Sequence, residues 1–217
     1  MEGIIYKVQA YQEHARLCFI YTKIGKRTLL AQGSQKVNSP YRILAQYLTK
    51  IDFKEQPKTF MTLQEGKILD DYPKIKTDFH QTKAAGLILE LIDHAIMDNM
   101  NHQRLYHEID LALQSSNIIL ASLSFATKLI EPLGYQMDLS GDGRRIKGVS
   151  IERGSIIYEE ENHPIDLDIK GSVDLLRLSR IPYSDLDQQP FHHLTKIKEF
   201  IFKYYQFHLQ LTLKNLQ

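Results

Sequence analysis

The chain has 217 residues and a single cysteine, Cys18. One thiol excludes an intramolecular disulfide and any zinc site built from thiolates, and it suits a reducing cytoplasm. No apolar run approaches the ~20 residues needed to cross a bilayer. The start, Met1-Glu2-Gly3-Ile4-Ile5, has neither a basic region nor a cleavage site, so neither a membrane span nor a signal peptide is expected. There is no phosphate-binding loop of the Walker type, no GxGxxG after a strand, no GxSxG and no HExxH. An enzyme is therefore not expected, nor is a cofactor. Internal repeats and low-complexity tracts are also missing.

What is present is ordinary globular material, 43% hydrophobic and 24% charged, enough for one large domain or two small ones. The net charge of +1 conceals an asymmetry. Residues 1–76 carry 13 Lys and Arg against 7 Asp and Glu, whereas residues 77–217 carry 14 against 19. A basic first third followed by an acidic remainder points to a polyanion as the partner of the first third.

The periodicity changes at the same place. Ile4 to Tyr11, Ala15 to Thr22 and 27–32 alternate as strands. Ser39-Pro40 opens a short helix, Tyr41 to Tyr47, because proline suits the first helical position. Thr49 to Glu55 and Lys58 to Leu69 alternate again. Five short strands with a small helix after the third is the element order of an OB-fold barrel. Beyond Pro73 the period becomes 3.6. Ala84, Leu87, Leu91 and Ala95 mark one helix, Leu105, Ile109 and Ala112 a second, and Ile118, Ala121, Phe125 and Leu129 a third, stopped by Pro132 and Gly134. Val149 to Tyr158 reads as a small hairpin turning at Arg153-Gly154. Val173 to Arg180 is a short helix and Phe191 to Leu213 a long closing one. The expected class is thus α+β: a five-stranded OB-fold β-barrel over 1–72, then a mostly α-helical domain over 77–217 with a hairpin insert at about 135–170.

The basic stretch Thr22 to Ser39 is the best candidate for function. Gly25 permits a tight turn among Lys23, Lys26 and Arg27, and Gly33 opens a second loop carrying Lys36. Lys23, Lys26, Arg27, Lys36 and Arg42 are the expected phosphate contacts. Lys36 and Arg42 flank a helix start whose N–H groups would favour an anion. Tyr41 and Tyr47 could stack on a base, though barrel packing explains them as well. An ordinary hairpin with solvated lysines is the competing reading of the stretch. Elsewhere His102 and His107 are badly spaced for a metal, Glu159 to Glu161 reads as a wet loop, and Gly141 to Arg145 as a flexible turn. No metal site is expected.

The order Gly3-Ile4-Ile5, Tyr11-x-Glu13, Thr22-x-x-Gly25-Lys26 and Gln32-Gly33-Ser34-x-Lys36-x-x-Ser39 resembles the N-terminal domain of the bacterial recombination-mediator family RecO. Phe125 with Leu133-Gly134-Tyr135-x-x-Asp138-Leu139, and Tyr204-x-x-x-His208-Leu209, are similar to that family's central and closing helices. The resemblance implies a non-enzymatic, cytoplasmic DNA-repair factor. It implies binding to single- and double-stranded DNA, annealing of complementary strands, and work with RecR to load RecA on DNA coated by the single-stranded-DNA-binding protein. It also implies that the helical domain receives that protein's acidic, apolar C-terminal tail. From the residues themselves, Arg104, Lys128 and Arg177 are available to meet the tail's carboxylates, and surplus aromatics of the closing helix could line a groove for its apolar end. Many members of the family carry a four-cysteine zinc insert after Leu-Gly-Tyr. The matching stretch here, Ser140 to His163, has no cysteine, so the hairpin is expected to hold by packing, without zinc. Two readings independent of the resemblance stay open, an RNA-binding OB module and an interaction scaffold for an acidic protein.

Overall fold

Six strands build the first third of the computed structural model, which describes residues 1–217. They are β1 (Glu2–Tyr11), β2 (Ala15–Thr22), β3 (Gly25–Ala31), β4 (Thr49–Phe53), β5 (Phe60–Thr62) and β6 (Gly66–Asp70), with the short helix α1 (Tyr41–Leu44) after β3. The single strand expected over 58–69 is therefore two. The reason is topological: the sheet order is β5-β3-β2-β1-β4-β6, with β5 parallel to β3 at one edge and β6 antiparallel to β4 at the other. A segment that pairs with both edges must bend between them, and it does so over Leu63 to Glu65. The sheet thereby curls on itself as a half-closed barrel in OB-fold order.

Alternation along these strands buries both faces. Ile5, Cys18, Ile20, Leu29, Ile51 and Met61 fill the barrel interior. There burial pushes the Cys18 thiol up to about 12, so it packs as a small apolar group. A bulge between Ile5 and Lys7 breaks the register with β2. Ile4, Tyr6 and Tyr21 belong to the other face, which joins a larger core shared with the helices.

That second body contains α2 (Pro73–Lys76), α3 (Phe79–His94), α4 (His102–Leu113), α5 (Ile118–Leu129), α6 (Ile169–Arg180) and α7 (Leu194–Leu209). The side chains of Asp78, Asn101, Asn117 and Asp168 each accept a hydrogen bond from the backbone N–H three residues on, which fixes the starts of α3, α4, α5 and α6. Helix α5 is apolar nearly all round and lies centrally, buried from Leu120 to Thr127. The closing helix ends at Leu209, earlier than its apolar stripe suggests, because Gln210 turns left-handed at φ 54°.

Between α5 and α6 the hairpin β7 (Ile146–Ser150) and β8 (Ser155–Tyr158) gains a third strand, β9 (Leu167–Asp168), beside β7. Gly148 makes the approach possible: a Cβ there would stand 2.2 Å from the Leu167 carbonyl oxygen.

Candidate nucleic-acid interface and helical-body cleft

The five cations singled out in the sequence do not share one surface. Lys23 is exposed in the β2–β3 turn. Lys26 and Arg27 lie within β3, where the register sets Lys26 opposite Tyr21 and Arg27 opposite Ile20, on opposite faces of the sheet. The exposed turn expected for both is thus corrected to half-buried strand. Lys26 faces the helices. Its Nζ donates to the Asp93 carbonyl at 3.0 Å and lies 6.0 Å from the Tyr6 ring centre. Burial lowers its pKa, against the opposing pull of Asp93 and Asp98. Arg27 donates to the Lys26 carbonyl at 2.7 Å.

Other first-third lysines are engaged in the same way. Lys7 reaches Asp93 Oδ2 at 2.8 Å, and Lys50 donates to both oxygens of Asp110 at 2.9 and 2.8 Å. Part of the basic surplus is therefore answered by acids of the helical body inside one molecule. The charge asymmetry alone overstated how much of it faces outward.

Lys36 and Arg42 are exposed on either side of the Ser39-Pro40 step. The helix they flank has only four residues. Ser39 Oγ accepts from the Tyr41 N–H at 3.2 Å and the Ser39 carbonyl from the Arg42 N–H at 3.1 Å. The first two N–H groups of that helix are thus already engaged within the loop. Tyr41 donates its hydroxyl to the Gln64 carbonyl at 2.6 Å and braces the barrel, while Tyr47 is exposed. Lys23, Lys36 and Arg42 remain as solvent-facing cations of the set with no carboxylate partner.

The helical body contains a cleft of about 600 Å³ between α4, α5, the chain after α5, and α6. Arg104, Lys128 and Arg180 stand in its wall with Glu108, Glu131 and Asp138, around an apolar floor that includes Phe125, Leu129 and Leu176. Lys128 donates to the Ile181 carbonyl at 2.7 Å and lies 4.0 Å above the Tyr183 ring, and burial lowers its pKa. The Tyr183 hydroxyl is buried in the same wall without a hydrogen-bond partner. Arg177 does not reach the cleft; it is held by Asp174 at 3.5 Å and the Pro190 carbonyl at 3.1 Å. The closing-helix aromatics do not line it either. Phe200, Tyr204 and Tyr205 are core residues, and the two tyrosines donate to the Tyr135 and Ala126 carbonyls at 2.9 and 2.8 Å. Arg180 and Tyr183 were not identified from sequence, because only the tertiary fold brings them beside Lys128.

The donor set of the hairpin region does not fit zinc: it has no thiolate, and nowhere in the structure do three or more His, Cys, Asp or Glu side chains converge as a metal site. Hydrogen bonds and ion pairs tie it instead. Arg144 pairs with Asp142 at 2.7 Å and Glu160 at 3.0 Å, and lies 3.7 Å over the Tyr158 ring. The Ile151 N–H donates to Asp166 Oδ2 at 2.7 Å, and Ser150 Oγ meets His163 Nε2 at 3.0 Å. The turn read as flexible is thus anchored by its own arginine. Hydrogen bonds from the Arg144 side chain and backbone lower the Asp142 pKa from 3.8 to about 2. The stabilising contact is complete above the ordinary carboxylate value and is lost as pH falls through about 2. A carbon-detected NMR titration should place the Asp142 midpoint clearly below that of a free aspartate, and Arg144→Gln should bring it back up.

Comparison with known proteins bears on residues 76–217, which match the family described as recombination protein O, C terminal. The chain is 29% identical over 142 residues to the DNA repair protein RecO of Bacillus mycoides (strain KBAB4), an alignment covering 63% of this chain and 57% of that one. It is 32% identical over 140 residues to the DNA repair protein RecO of Clostridium perfringens (strain 13 / Type A), covering 61% and 57%. The matched stretch thus spans little more than half the length of these curated relatives.

Proposed function

The chain belongs to the recombination protein O family, and from that premise we propose that it acts in DNA repair as a non-enzymatic recombination mediator. In this reading it binds single- and double-stranded DNA through the barrel and anneals complementary strands. It also helps RecR load RecA where the single-stranded-DNA-binding protein coats the strand. The observation that carries the reading is the pairing of a family-matched helical body with an OB-order barrel that presents Lys23, Lys36 and Arg42 to solvent. Such side chains neutralise phosphates without reading bases, which suits a protein that must act on any sequence.

The cleft is the proposed seat for the acidic C-terminal tail of the single-stranded-DNA-binding protein. Its floor offers apolar surface for the tail's last side chains, and Arg104 and Arg180 at its rim are exposed cations for the carboxylates. Glu108, Glu131 and Asp138 repel the same carboxylates, so affinity should depend strongly on the arginines. Replacing Arg104 and Arg180 together by Ala should weaken a tail peptide about tenfold or more by fluorescence anisotropy and leave naked-DNA binding unchanged. The reading as a whole is tested by annealing of complementary oligonucleotides coated with the single-stranded-DNA-binding protein. Added protein should speed annealing many-fold; coated strands that pair no faster would overturn it.

A further inference from the structure

The β2–β3 turn that carries Lys23 is not a free hairpin tip. Within it, the Thr22 hydroxyl donates to the Gly25 carbonyl at 2.7 Å and accepts the Ile24 N–H at 3.3 Å. Its back rests on the first turn of α4. Gly25 has φ 102°, and a Cβ there would stand 3.1 Å from His102 Nε2. His102 Nε2 is 3.0 Å from the Asp98 carbonyl oxygen, which can only accept. That ring nitrogen therefore carries the proton, and Nδ1, 2.9 Å from the Tyr21 hydroxyl, accepts from it. Tyr21 is the strand residue just before the turn and is fully buried, so this hydrogen bond joins the root of the turn to the helical body. One turn further along α4, Tyr106 places its ring 5.8 Å from Lys23 Nζ.

We propose that His102, with Tyr106, is a positioning element for the DNA-contacting turn: the helical body sets the conformation in which Lys23 is offered to phosphate. The inference rests on the barrel reading of DNA binding given above. The physical argument is preorganisation. A turn already fixed in its binding geometry has less ordering entropy to lose when the strand arrives. Neither α4 residue needs to touch DNA for the effect. The same helix shows the cleft a different stripe, Arg104, Leu105 and Glu108, so the positioning face and the peptide face are separate sets of residues on one element.

The test uses the full chain with a fluorescent single-stranded oligonucleotide, titrated at several salt concentrations, and with amide hydrogen exchange at residues 23–25. Tyr21→Phe keeps the buried ring and removes only the hydroxyl; His102→Ala removes its partner. Both should weaken DNA about three- to tenfold, raise exchange in the turn, and leave the slope of log K against log salt unchanged, since no cation is lost. Lys23→Ala behaves differently and lowers the slope by about 0.7. The double variant Tyr21→Phe/His102→Ala should be no worse than His102→Ala, because both remove the same bond. His102→Asn, whose amide oxygen can accept near the Nδ1 position, should recover part of the loss. If Lys23→Ala lowers the slope while Tyr21→Phe and His102→Ala bind like the parent, the positioning role is wrong and the barrel reading stands. If the parent does not bind DNA, the barrel reading fails and the inference fails with it.

Discussion

Replacing Lys23, Lys36 and Arg42 together by Ala should remove most of the chain's DNA affinity at low salt. Each is exposed and none has a carboxylate partner, so each can neutralise a phosphate without breaking an ion pair. Three contacts to a single strand give a slope of log K against log salt of roughly −2, and the triple variant should bring that contribution to about zero. At about 1 kcal/mol per charge-assisted contact, the loss is near 3 kcal/mol, or about two orders of magnitude in Kd. Stability should hardly move, because exposed substitutions of this kind stay within ~0.5 kcal/mol each. Replacing Lys26 by Ala should do the reverse. Removing it leaves the Asp93 carbonyl without its donor at the junction of barrel and helices, so the melting temperature drops while the salt slope stays put. A triple variant that keeps both affinity and slope would show that the strand binds elsewhere.

The contrast between Lys26 and Lys23 shows where sequence reading succeeds and where it stops. The alternation of β2 and β3 is visible in the sequence, and so is the order of strands, short helix and strands that makes an OB barrel. The apolar stripes of α4 and α5 are equally clear, because burial on one face writes its period into the chain. What alternation does not reveal is which covered face meets which acid. Lys26 follows Gly25 and precedes Arg27, and locally it belongs to a basic turn. Only the packing of the far end of α3 against that face supplies Asp93. The division of the expected fifth strand into β5 and β6 had the same kind of cause, since it follows from closing the sheet and leaves no local mark beyond Gly66.

The cleft was less legible than the barrel. Lys128 and Arg104 were identifiable as available cations, but their neighbours were not. Arg180 and Tyr183 come from a stretch more than fifty positions beyond Lys128, and no spacing rule joins them. The aromatic crowd of the closing helix misled in the opposite direction. Five aromatic residues between Phe200 and Phe207 cannot face one side, and three of them are core, with hydroxyls anchored to backbone carbonyls where one is present. Surplus aromatics signalled a thick interior there.

The largest loss of stability from a single polar residue should follow Asp174→Ala. Asp174 lies on α6 with its side chain 4% exposed, and its carboxylate gathers the segment leading into α7. Oδ2 accepts the backbone N–H groups of His192 and His193 at 3.0 and 3.2 Å and lies 3.2 Å from His193 Nδ1. Oδ1 faces Arg177 at 3.5 Å. His192 is exposed and His193 stands at the N-cap position of α7, and the backbone N–H groups of both are tethered to this buried acid 18 and 19 residues earlier. Removing the carboxylate strands two backbone donors in a part-buried site and leaves the Arg177 charge without its partner. Arg177 keeps water and the Pro190 carbonyl, so the loss comes mainly from the two stranded donors and amounts to about 2–4 kcal/mol, still a large share of the ~5–15 kcal/mol that holds a typical domain. Asp174→Asn keeps the shape and one accepting oxygen and should cost less, about half as much. Urea unfolding followed by circular dichroism should rank the three proteins parent, Asn, Ala. The Ala variant should also show raised amide exchange at His192 and His193 before global unfolding, because the tether is local to the α6–α7 connection. Equal midpoints for parent and Ala would mean that the packing of Leu175, Leu178 and Ile197 holds that connection without the carboxylate.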